Sequence, residues 1–93
     1  EVSHWHKLTK NEILHFYAGS PLTVYHSNGK KIHKVILGNQ LNKKEKFHYV
    51  VKKQTWFSMK TNGKWSLIGC TVAPAFNYKD FKLAKPNWHP KKL

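Results

Sequence analysis

His4 and His6 stand two residues apart near the amino end, with Trp5 between them. On a β-strand, residues two apart project from the same face, so this spacing sends both imidazoles into one space. Glu12 follows after five intervening residues and is one of only four acids, with Glu1, Glu45 and Asp80. It opens a run of otherwise apolar character in which Glu12, Leu14 and Phe16 share one face and Ile13, His15 and Tyr17 the other. A carboxylate facing a β-sheet interior is costly unless it is paired, protonated or bound to a cation. If they converge, two imidazoles and one carboxylate can hold iron, manganese, nickel or zinc with open positions. The same groups can instead hydrogen-bond each other and a ligand hydroxyl, as the polar corner of an apolar-walled pocket. Wholly structural histidines are the third alternative.

The remaining candidates are weaker. Cys70 is the only cysteine, so no internal disulfide forms. This usage fits a reducing compartment and an expected cytoplasmic location. Within the apolar run Leu67–Val72, Cys70 is expected as a small buried side chain. His15 lies on the face opposite Glu12 and is expected as a hydrogen-bonded packing residue between sheets. His26, His33, His48 and His89 are expected at the surface or at strand edges. Phe16, Trp56 and Phe57 are expected as apolar walls of a cavity, while Trp56 and Trp65 flank a turn across which they can pack. No serine sits in a nucleophile elbow. No phosphate-binding glycine loop or zinc-finger cysteine pattern occurs.

The elements that must position these residues are short and β-prone. Strands are expected over Val2 to Lys7, Glu12 to Ala18, Leu22 to His26, Lys31 to Leu37, Phe47 to Lys52, Gln54 to Lys60 and Trp65 to Val72. Ser27-Asn28-Gly29-Lys30 and Thr61-Asn62-Gly63-Lys64 both carry Asn-Gly, which tolerates the positive φ angles of a two-residue hairpin turn. Gly38 to Lys46 reads as a polar loop. Tyr78 to Leu83 reads as a helical turn or a last short strand. Lys85 to Leu93, with two prolines, reads as an irregular tail. Seven or eight short strands of this spacing favour a sandwich, jelly roll or barrel.

All seventeen basic residues are lysine, and the formal charge is +13. Such a field attracts polyanions and favours solubility but does not specify a fold. Arginine, whose planar fork recognises phosphates and bases bidentately, is wholly absent. Lys30, Lys31 and Lys34 with Lys43, Lys44 and Lys46 would carry any nucleic-acid binding, which is the minor alternative to solvated lysine turns. No stretch has the length of a membrane span. Ninety-three residues make one domain at most. The chain enters patterned sequence almost at once, which suggests a fragment lacking an N-terminal part.

His4-Trp5-His6, Glu12 and Gly19 resemble the first cupin motif, in which His-x-His precedes Glu, and Gly follows Glu after a fixed interval. Ser3 to Lys7, Asn11 to Leu22, Trp65 to Phe76 and Asp80 to Ala84 resemble the Cupin_5 (DUF985) family more closely. That resemblance implies an all-β double-stranded β-helix, the cupin jelly roll, over residues 1–84, lacking its N-terminal strands, with 85–93 as a tail. It also implies pairing into a homodimer and a likeness in shape to sugar-nucleotide epimerase-type cupins. One departure matters: Phe57 stands where metal-binding cupins place a further histidine, and Lys52 and Gln54 replace the Pro and Gly of that motif's turn. An aromatic ring cannot ligate a metal, which leaves a divalent cation at best His4, His6 and Glu12. The expected function is small-molecule binding in the barrel, with His4, His6 and Glu12 at its mouth, possible epimerase- or isomerase-type proton transfer, and metal-dependent catalysis or polyanion binding as alternatives.

Overall fold

Eight strands and one 3-10 turn succeed each other in the computed structural model, which describes residues 3–73, 81–84 and 87–90. The strands are β1 (His6–Leu8), β2 (Asn11–Gly19), β3 (Leu22–Ser27), β4 (Ile32–Leu37), β5 (His48–Val51), β6 (Trp56–Thr61), β7 (Ser66–Ala73) and β8 (Phe81–Leu83). Five form one antiparallel sheet, in the order β4-β3-β6-β1-β8, and three form another, in the order β5-β2-β7. Every connection except β3 to β4 passes from one sheet to the other. This back-and-forth winding is the double-stranded β-helix, or jelly roll, and no α-helix occurs among the described residues.

Alternation along each strand fixes which side chains enter the space between the sheets. On β2, Glu12, Leu14 and Phe16 are buried, while Asn11 and Tyr17 are exposed. Leu14 and Phe16 join Leu22, Val24, Leu37, Val51 and Phe57 in one apolar core. Burying a Leu or Phe side chain stabilises by about 1.5–3 kcal/mol, so these few residues dominate the cohesion of a small domain.

The two Asn-Gly segments fold differently. Ser27 pairs with Ile32, so β3 and β4 form the expected hairpin, but its loop has four residues, 28–31, rather than two. Only Gly29 there takes a positive φ, 104°. Ser27 Oγ accepts the Gly29 N–H at 2.9 Å, and Asn28 Oδ1 accepts the Lys30 N–H at 3.0 Å. The second segment is not a hairpin. β6 pairs with β3 and β1, whereas β7 pairs with β2, so residues 62–65 carry the chain across to the other sheet. Gly63 has no positive φ, and a sheet-to-sheet corner does not require one.

The first strand is shorter than expected: residues 3–5 precede β1, and Val2 lies outside the described residues. Of the expected closing element, 81–83 form a strand and 78–80 lie outside the described residues. Within the tail, 87–90 carry neither helix nor strand, and 85, 86 and 91–93 lie outside the described residues.

Gly19 closes β2 with φ +94°, and a Cβ there would come within 2.6 Å of the Trp65 ring and of its carbonyl oxygen. Gly19→Ala is therefore expected to lose about 2 kcal/mol through backbone strain and overlap. Leu14→Ala, at a site with 0% exposure, is expected to lose about 3 kcal/mol. Urea denaturation of both variants checks these values.

Candidate functional site

Cross-strand register builds the inner wall of the larger sheet. Residues directly opposite in an antiparallel pair point to the same face. His33 pairs with His26, His26 with Phe57, Phe57 with His6, and His6 with Leu83. These five side chains form one row across all five strands. Phe57 belongs to the core at 1% exposure, so the row faces the interior. The His6 ring lies against Phe57 with centroids 4.1 Å apart. Its Nδ1 is 3.0 Å from the His4 carbonyl oxygen. A carbonyl only accepts, so Nδ1 is the donor in this bond.

Facing this row is the inner surface of the smaller sheet. Glu12 opposes Val51 and Val72, and Leu14 opposes Tyr49 and Cys70, all on one face. Glu12 is buried and inward, as its alternation with Leu14 and Phe16 implies. Cys70 is exposed, not the buried apolar residue expected. β7 pairs with β2 alone among the described strands, and Cys70 lies on the inner face of this edge strand. Its thiol donates a hydrogen bond to Glu12, which gives the inward carboxylate a partner. Desolvation, together with that hydrogen bond and the carboxylate's charge, pushes the Cys70 pKa up to about 12.

The three sequence-predicted groups do not meet at one point. The Ser3 N–H bonds the Met59 carbonyl at 2.9 Å, which aligns the segment before β1 with Met59 on β6. His4 lines an open groove with Leu22, Met59, Thr61 and Trp65. Thr61 and Ser66 meet at 2.6 Å, and Ser66 pairs with Gly19 at the far end of β2. His4 thus lies toward the end of the barrel where β2 finishes, Glu12 at the end where β2 begins, and His6 between them. Among the described residues, no three His, Cys, Asp or Glu side chains approach closely enough to hold a metal ion. The donor set His4, His6 and Glu12 therefore does not fit a divalent cation, and no chemistry is derived through one.

The expected apolar walls also divide. Phe16 and Phe57 line the interior. Trp56 points the other way, because neighbours on a strand alternate faces. On the outer surface its ring meets Trp88 at 4.7 Å, while Lys7 Nζ lies 5.0 Å above it. Trp5 meets Trp88 edge-on at 6.3 Å. Trp65 does not pack across a hairpin; it lies over Gly19. His15 is on the outer face of the smaller sheet, with Nε2 3.3 Å from Thr71 Oγ1 and its ring parallel to Tyr17.

Sequence reasoning missed His26 and Tyr49. His26 is inward and half-buried, not a surface residue, and its Nε2 lies 3.3 Å from the Tyr49 hydroxyl. The signal was available: Leu22, Val24 and His26 alternate on one face of β3. Burial first, and then the His33 ring stacked 5.5 Å away, lower the His26 pKa below its ordinary 6.5.

These two sheets form a cupin-type jelly roll. The profile of Cupin_5, described as Cupin superfamily (DUF985), matches residues 1–84. The chain belongs to this family. A Shewanella oneidensis protein solved by X-ray crystallography is 38% identical, with 89% of this chain and 54% of that one covered and a TM-score of 0.84. A hypothetical protein from Leishmania major is 24% identical over 87% of this chain and 56% of that one, at a TM-score of 0.79, a likeness of fold alone. The chain spans little more than half the length of these two proteins. No curated protein matches its sequence. No helix of the described residues is long and apolar enough to cross a membrane.

Replacing Glu12 by Gln removes the charge beside Cys70, so the thiol pKa should fall from about 12 toward its ordinary range. Alkylation by iodoacetamide at alkaline pH should then run faster in the variant than in the parent chain; an unchanged rate would show that burial alone sets the shift. His26 has the opposite sign of linkage. Its folded pKa lies below 6.5, so its contribution is present above that pH and is lost as the medium is acidified through the folded value. His33→Asn should raise the His26 midpoint, which NMR of the ring protons can follow.

Proposed function

We propose that this cupin domain binds a small hydroxyl-bearing molecule between its two sheets. The observation that carries this reading is Glu12, a carboxylate buried on the inner face of an otherwise apolar strand. Among the described residues the Cys70 thiol is its hydrogen-bonding partner, whereas a carboxylate accepts up to about four such bonds. From the opposite sheet, the His6 ring, fixed against Phe57 and by the His4 carbonyl, brings a second polar group toward the same interior. A carboxylate acceptor above apolar walls suits a ligand that donates through hydroxyl groups. Phe16 and Phe57, both in the apolar core beside it, would wall such a pocket. Glu12 is also the inward base that could take a proton from a carbon beside a ligand carbonyl, the step that epimerase- or isomerase-type chemistry requires. The homodimer implied by the family likeness would add cohesion to so thin a core.

A thermal-shift screen of small polyhydroxylated molecules tests the reading. A hit should raise the midpoint of the parent chain and lose most of that effect in Glu12→Gln. A library in which no compound stabilises the chain, or hits equally effective in both proteins, would contradict it.

A second reading rests on a broad groove of about 780 Å³ beside β4 and the 3-10 turn Leu41–Lys43. Lys34, Lys43, Lys44 and Lys46 line it around Phe47 and His48. Glu45, the acid within it, is drawn back to the Gln40 N–H at 3.1 Å. Lysines around an exposed aromatic ring suit single-stranded nucleic acid. Binding of an oligonucleotide that fails to weaken steeply as salt rises would dismiss this reading.

A further inference from the structure

We infer that a cavity beside β5, at the edge of the smaller sheet opposite Cys70 on β7, is a binding site for a small organic anion. The cavity measures about 240 Å³ and is lined by His26, Tyr49, Val50, Val51, Lys52 and Thr55. It is smaller than the roughly 300–1,000 Å³ of drug-sized sites, so its occupant is small.

Its polar lining is rich in donors. Lys52 brings an ammonium group, Thr55 a hydroxyl, and Tyr49 a phenol 3.3 Å from His26 Nε2. Among the described residues, no carboxylate lines it. The groups therefore match a carboxylate or a phosphate, and the inward Val51 gives a short apolar part of the ligand a surface to rest on. The His26 ring is fixed on two sides, by Tyr49 with centroids 5.3 Å apart and by His33 at 5.5 Å.

The site also carries a switch in charge. Titratable groups face His26 from each neighbouring element: His33 from β4, Tyr49 from β5 and Lys52 from the segment after β5, while Phe57 and Ser58 on β6 carry no charge. Uncharged, the imidazole leaves Lys52 as the one cation lining the cavity among the described residues. A bound anion favours the imidazolium, and by linkage protonation of His26 tightens the anion.

The test uses inorganic phosphate and propionate, each titrated into the chain while NMR follows the His26 ring protons. Saturable shifts are expected at His26, with a rise in its pH midpoint at saturating probe. The tighter of the two probes identifies the anionic group that the site prefers. Lys52→Ala, at an exposed position, should weaken binding about tenfold. Thr55→Val should weaken it less, and Lys64→Ala, on the turn after β6, should leave it unchanged. Equal weakening by Lys52→Ala and Lys64→Ala would reduce the effect to general attraction by a +13 chain and overturn the site. So would an absence of any shift at His26 with both probes.

Discussion

The structure depends on the register between β6 and its two neighbours. Phe57 stands opposite His26 on one side and His6 on the other. Because paired residues share a face, burying one phenyl ring commits two imidazoles to the interior and sends Trp56 outward. A slip of one residue would reverse every one of these assignments. The outer face uses the same constraint: Trp56 meets Lys7 and Trp88 there, so the indole that alternation removes from the barrel anchors the tail to the sheet.

Electrostatics divides the molecule along the same line. The surface is a lysine field, whereas the inner face holds one carboxylate with a thiol beside it. An inward carboxylate of this kind is hard to justify as packing alone, since removal from water is costly and a thiol is a weak donor. The two inward histidines divide the labour. The His6 ring is fixed by Phe57 and the His4 carbonyl, and His26 is held near Tyr49 where burial disfavours its charge.

Much of the fold was legible because short β-prone runs recur between turn residues, and the family motifs mark β2 and the segment from β7 onward. The inward Glu12 and the pairing of His4 and His6 on one side follow from period-two spacing alone. What spacing cannot supply is position along the barrel. His4 and Glu12 belong to different sheets, and only the pairing of Ser66 with Gly19 reveals that they lie toward opposite ends. Trp56 and Phe57 were both expected inside, although adjacent strand residues cannot share a face. The second Asn-Gly resembled a hairpin because local turn chemistry does not reveal whether the flanking strands pair or part. Cys70 was taken for core because the sequence does not reveal that β7 borders its sheet.

The central claim, that the inner face around Glu12 is where this domain meets its ligand, is tested most directly by locating a bound molecule. Crystals soaked with a mixture of small hydroxylated fragments should show density between the sheets, within hydrogen-bond distance of the Glu12 carboxylate and on the side of the row that holds His6 and Phe57. Density confined to the outer face around Trp56, or to the lysine-lined groove beside β4, with the inner face holding only water, would contradict the account.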